Sequence, residues 1–152
     1  MRETDRSGRK PGQLDVAVNE REAPGTEGCK VLVVEDNLEL AQNLGRLVRI
    51  LGHEPRIALS GPDGLEEVLR CRPDVLLCDI GLPGMDGNDL ARAIRADSSL
   101  AHIRLIAMSG GDLDQDRDQI LAAGFDYFLP KPLTFDHLRQ VLHDAIHGVG
   151  RH

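Results

Sequence analysis

The chain has 152 residues, 41% of them hydrophobic, and 18 Lys and Arg against 25 Asp and Glu give it a formal net charge of -7. That length suits one compact domain with a real core, and the acidic balance without any Lys/Arg-rich block excludes a broad phosphate-neutralising surface, so direct nucleic-acid binding is not expected. No stretch approaches the roughly 18 consecutive apolar residues of a membrane span, and the polar N-terminus lacks a signal-peptide core; the expectation is a cytoplasmic protein without membrane contact.

Residues 1–28 mix acids and bases with glycine and proline and hold only scattered aliphatics such as Leu14, Val16 and Val18. They bury too little apolar surface to offset their ordering entropy, which predicts a disordered tail or linker. At Cys29 the texture changes. "KVLVVED" is a continuous apolar run suited to a strand covered on both faces of a parallel sheet. Asn37 then caps a helix in which Leu40, Ala41, Leu44, Leu47, Val48 and Leu51 recur at helical spacing, with Gly52 ending it. "EPRIALS" reads as a second strand, and Ser60-Gly61-Pro62 opens a helix to about Cys71. "DVLLCD" is the third strand, with a helix over about Asn88 to Ala96. "IRLIAMS" is the fourth, followed by a helix near Leu113 to Ala123 that Gly124 ends. "FDYFL" is the fifth, and Thr134 caps a last helix with Leu138, Val141, Leu142, Ala145 and Ile146 as its apolar stripe. Residues 148–152 are left as a short tail. Cys29, Cys71 and Cys78 show no CxxC spacing, and Cys78 lies inside an apolar run, so reduced thiols are expected rather than a disulfide or zinc framework.

Strands alternating with helices predict an α/β fold, a doubly wound parallel sheet. In such sheets ligands bind beyond the carboxyl ends of the strands. Glu35 and Asp36 end the first strand, Asp79 the third and Ser109 the fourth, while Lys131 follows the fifth. Three carboxylates in one crevice need a counter-charge, and hard oxygen ligands that fill only part of a coordination sphere suit Mg²⁺. A carboxylate beside a cation, a hydroxyl and an ammonium group is what phosphoryl transfer to aspartate requires, with Lys131 and Ser109 meeting the equatorial oxygens.

"VLVVEDN", "DVLLCDIGLPGMDG", "LIAMSG" and "FDYFLPKPL", in that order, give the chain a close resemblance to the receiver domain of two-component response regulators over about residues 29–147. The resemblance implies a flavodoxin-like (βα)5 fold with strand order 2-1-3-4-5. It implies Asp79 as phosphoacceptor, Asp36 as a direct Mg²⁺ ligand, Glu35 as a ligand mainly through water, and the Gly81 carbonyl as a further ligand. Ser109 becomes the switch hydroxyl, Lys131 the phosphate-binding lysine, Phe128 the switch aromatic, and Lys131-Pro132 a cis peptide. The phosphoryl donor would be a histidine kinase or a histidine phosphotransfer protein and the target an unidentified downstream protein, with the chain a monomer or a phosphorylation-dependent dimer. Glu stands at position 35 where Asp is commoner, and Ser at 109 where Thr is commoner; both keep the chemistry. Gly81 and Gly111, two residues past the acceptor and the hydroxyl, carry no side chain to orient a hydrolytic water, which predicts slow self-dephosphorylation; the resemblance implies no enzymatic activity beyond the chain's own phosphorylation and dephosphorylation.

Other readings fit less well. A haloacid-dehalogenase phosphatase needs an acid two residues past its nucleophile, where this chain has Gly81. A flavodoxin-like cofactor binder would not place Glu35 and Asp36 where a phosphate must sit. A receiver-like adaptor acting without phosphorylation, or an intermediate carrier in a hybrid-kinase relay, stays open. His143 and His147, four apart on the last helix, lack a third ligand for zinc, and "GDLDQDRDQ" reads first as a solvated helix start.

Overall fold

A computed structural model describes residues 28–110 and 113–149, the side chains of 113–116 excepted. The expected N-terminal tail, Gly111 and the end of the C-terminal tail therefore lie outside the described residues. In chain order the elements are β1 (Lys30–Val34), α1 (Leu38–Ile50), β2 (Glu54–Ala58), α2 (Gly61–Cys71), β3 (Val75–Asp79), α3 (Gly87–Arg95), a 3₁₀ turn (Ser98–Leu100), β4 (Arg104–Ser109), α4 (Leu113–Ala123), β5 (Tyr127–Pro130) and α5 (Phe135–His147). The strands form one parallel sheet in the order 2-1-3-4-5, a flavodoxin-like doubly wound fold.

The sheet has two apolar faces because each strand alternates its side chains between them. Leu32 and Val34 of β1, Leu76 and Cys78 of β3, and Leu105 and Ala107 of β4 pack under α2, α3 and α4. Val31 and Val33, Val75 and Leu77, and Ile106 and Met108 point the other way, under α1 and α5. Every position of β3 is buried, which is why its sequence reads as an apolar run up to Asp79.

Local chemistry sets the helix ends. Asn37 accepts from the Leu40 amide, Ser60 from Asp63 and Thr134 from His137, so each expected cap is in place. Helix α3 starts one residue earlier than its sequence suggests, because Asp86 and Asp89 form a reciprocal capping box that makes Gly87 the first helical residue. The fifth strand begins at Tyr127 rather than Phe125. The Phe125 amide closes onto Ile120 O at 3.3 Å, and the Asp126 amide onto Leu105 O at 2.8 Å, which ends the α4 turn before the ladder starts. The Lys131-Pro132 peptide is cis, as expected. None of the three cysteines forms a disulfide, and among the described residues no helix is long and apolar enough to cross a membrane.

Candidate functional site

Sheet register brings the acids together. Val34 pairs with Cys78 across β1 and β3, so the next residues, Glu35 and Asp79, emerge side by side at the carboxyl edge. Strand spacing puts such neighbours roughly 5 Å apart, where two unit charges repel by about 3 kcal/mol at the effective dielectric of a protein surface. Glu35 and Asp79 are buried and Asp36 is exposed, and the three offer carboxylate oxygens that all lie within 4.8 Å of one another. One strand further, Asp79 pairs with Met108 and puts Ser109 at the same edge. Ser109 in turn pairs with Pro130, and its carbonyl accepts from the Lys131 amide at 2.9 Å.

The loop after β3 fixes the Asp79 carboxylate. The Ile80 amide donates to Met108 O at 3.1 Å, and the Gly87 amide returns to Ile80 O at 3.3 Å, folding residues 80–87 back on the strand end. Gly87 allows this approach: a Cβ there would stand 2.6 Å from the Ile80 Cα and 2.8 Å from the Asp79 carbonyl oxygen. Within this loop the Gly81 amide donates to Asp79 Oδ1 at 3.0 Å, while Asp79 Oδ2 faces Lys131 Nζ at 3.2 Å. The same ammonium lies 3.7 Å from Glu35 Oε1.

Charge at the site is under-compensated: three carboxylates gather there, and one lysine faces two of them, Glu35 and Asp79. Glu35 Oε2 accepts from the Asn37 amide at 3.1 Å, yet its buried Oε1 has no hydrogen-bond partner, and neither does the buried Ser109 Oγ. Burial raises the Glu35 carboxyl above its ordinary pKa, and the Asp79 charge adds to that, against the Asn37 amide and Lys131. An oxygen-only donor set with excess negative charge and an orphaned carboxylate oxygen fits a hard divalent cation.

Phe128 sits apart from the acids, half-buried on β5. It borders a groove of 320 Å³ shared with Tyr127, His137 and Asp144. Sequence reasoning missed its neighbour: the Arg117 guanidinium lies over the ring, 4.7 Å from its centroid. Nothing in the spacing signalled this, because Arg117 falls inside the run read as a solvated helix start. Of that run, Arg117, Asp118 and Gln119 are exposed; Gly111, Asp112 and the side chains of 113–116 lie outside the described residues.

With this geometry in place, the comparisons define the class. The chain belongs to the response regulator receiver domain family, whose family model matches residues 31–143, and is thus a receiver domain of two-component signalling. It is 31% identical to the receiver domain of a sensor histidine kinase from Pseudomonas aeruginosa PAO1, described with a magnesium ion coordinated in the active-site cleft. That likeness has a TM-score of 0.73 and covers 79% of this chain and 98% of the other. A putative response regulator from Chloroflexus aurantiacus J-10-fl is 27% identical with a TM-score of 0.74, covering 80% of this chain and 99% of that one. Among curated proteins, the hybrid signal transduction histidine kinase G of Dictyostelium discoideum is 29% identical over 131 residues. The match takes in 84% of this chain but only 4% of that protein. Protein Rrf1 of Nitratidesulfovibrio vulgaris is 39% identical over 55 residues, 36% of this chain and 40% of its own length.

Proposed function

We propose that the chain is a phospho-acceptor switch in which Asp79 takes a phosphoryl group from the phosphohistidine of a histidine kinase or histidine phosphotransfer protein in the cytoplasm. The observation that carries this reading is the Asp79 carboxylate itself: buried, held by the Gly81 amide, faced by Lys131 Nζ at 3.2 Å, and grouped with Glu35 and Asp36 within 4.8 Å. An Asp79 oxygen attacks phosphorus, the P–N bond to the donor imidazole breaks, and the imidazole leaves with the bonding pair. Lys131 neutralises charge that builds on the equatorial oxygens. The Ser109 hydroxyl, which lacks a partner in the resting site, donates to one of them. Asp36 and Asp79, the Gly81 carbonyl, and Glu35 through water would hold Mg²⁺, which when bound screens the crowded negative charge of acceptor and phosphoryl group.

Drawing Ser109 toward the phosphoryl group frees the space into which Phe128 turns, so the signal is read on the face of α4, β5 and α5 by a downstream protein. Coupling of roughly 1–3 kcal/mol is typical of such switches. Beyond this self-phosphorylation and a slow self-dephosphorylation, the chain carries out no catalysis. The likeness to a hybrid kinase over 84% of the chain supports a second reading, in which the phosphoryl group is passed onward as in a relay.

The test is mass spectrometry of the protein after incubation with acetyl phosphate and Mg²⁺. One phosphoryl adduct at Asp79 is expected, absent without Mg²⁺ and absent in Asp79→Asn. A fully labelled Asp79→Asn would overturn the assignment.

A further inference from the structure

At the other end of the sheet, remote from Asp79, three imidazoles from two parts of the chain line one cavity. His53 stands in the turn between α1 and β2, and His143 and His147 lie one helical turn apart near the end of α5; together with Leu142 and Arg139 they border a space of 220 Å³. The two helix histidines already face each other, with ring centroids 4.5 Å apart and planes tilted by 49°. The fold supplies the third ligand that the helical pair lacks in sequence. His53 Nδ1 is buried and has no hydrogen-bond partner. Burial also lowers the His53 pKa, against a weaker pull from Asp74, and so favours the neutral imidazole that ligates metals.

We propose that His53, His143 and His147 form a binding site for a late first-row divalent cation, for which Zn²⁺ is the probe. Imidazole nitrogens suit Zn²⁺, Ni²⁺ and Cu²⁺ and not Mg²⁺, which takes oxygen ligands. Three nitrogens leave a fourth tetrahedral position for water. Among the described residues only Glu35, Asp36 and Asp79 already hold three ligand atoms within 4.8 Å of one another, so the histidines close on the ion by rotation. His53 is half-buried, while His143 and His147 are exposed, and exposed side chains change rotamer within picoseconds to nanoseconds. Arg139 opposes a cation here. Its side chain is 52% exposed and paired with Asp136 at 3.9 Å, so it can swing into water. Since α1 and α5 cover the same sheet face, an ion bridging the α1–β2 turn to α5 binds the folded chain more tightly than the unfolded one, and so stabilises it.

Zn²⁺ titration of the full chain by calorimetry, with Mg²⁺ in excess to occupy the acidic crevice, tests the site. One Zn²⁺ per chain, a raised unfolding temperature, and ring resonances of His53, His143 and His147 that move together are expected. His147→Gln and His53→Gln should each weaken binding by at least about tenfold, since even an outer-shell partner of a metal is commonly worth that much. His102→Gln, on a different cavity, should leave it unchanged. An unmoved His53 resonance on Zn²⁺ addition overturns the three-ligand site, and that readout stands even where the His53 variant folds poorly. So does loss of Zn²⁺ binding in Asp79→Asn with the histidine variants unaffected.

Discussion

Asp79 and Asp126 are both buried carboxylates facing a cation on the same sheet, and their surroundings differ in one respect. Asp126 is saturated. Its Oδ2 accepts from Arg95 at 2.8 Å and from the Leu105 amide at 3.0 Å, and Arg95 is further tied through Nε to Gly124 O at 3.0 Å. One acid meets one guanidinium, and the pair pins the end of α3 to the amino end of β4 and β5. Asp79 shares a single lysine with Glu35 and stands beside Asp36, and two buried polar atoms nearby, Glu35 Oε1 and Ser109 Oγ, have no hydrogen-bond partner. A buried charge that has all its partners holds a fold together. One left short of them is held in place by the rest of the fold and is ready to take a ligand.

Removing the two carboxylates in turn should therefore give opposite phenotypes. Asp79→Asn is expected to abolish labelling by acetyl phosphate while leaving the urea midpoint unchanged or higher, because it removes one charge from a repelling cluster. Asp126→Ala should lose about 3 kcal/mol, the low end for breaking a buried pair since Arg95 keeps some contact with water, yet its folded fraction should label like wild type. Loss of labelling in a folded Asp126 variant would mean that the two ends of the sheet are not independent.

The same contrast decides what could be read from sequence. The acids of the crevice are legible because each falls at the end of an apolar run, and the topology then gathers strand ends. The strands and the caps Asn37, Ser60 and Thr134 are legible for the same kind of local reason. Arg95 and Asp126 carry no such signal: they lie 31 positions apart, one in the last turn of a helix, the other just before a short strand. Only the packed fold makes them neighbours. Arg117 over Phe128 was hidden likewise, its charge lost within a run of charges.

Mg²⁺ should sharpen the contrast by a moderate amount. At roughly ten times its dissociation constant a ligand of the folded state adds about 1.4 kcal/mol, so wild-type protein should unfold at higher urea with Mg²⁺ than with EDTA. Asp36→Asn should lose most of that increment, and Asp126→Ala should retain it. A Mg²⁺ increment that survives in Asp36→Asn places the ion elsewhere. Ser109→Ala is expected to change resting stability by less than about 1 kcal/mol, since the hydroxyl it removes has no hydrogen-bond partner. Phosphorylation should persist in this variant while the phospho-dependent movement of the Phe128 ring signals disappears; an unchanged movement would refute the coupling through Ser109.

The smallest expected effect concerns Arg117. Its guanidinium lies over Phe128 at 4.7 Å from the ring centroid, and Arg117 is exposed, so the stack holds the ring in its resting, half-buried place without the strength of a desolvated contact. Exposed cation–π contacts are worth about 0.5–1 kcal/mol. If an inward turn of Phe128 breaks the stack, Arg117→Ala shifts the balance between outer and inner positions by roughly two- to fivefold toward the inner one. Ring chemical shifts of Phe128 in the unphosphorylated variant should therefore move part of the way toward their phosphorylated values, with labelling of Asp79 unimpaired. The double variant Ser109→Ala/Arg117→Ala separates the two influences. If Arg117 acts on the ring directly, the partial shift survives loss of the hydroxyl, whereas its disappearance would show that the guanidinium acts only through Ser109.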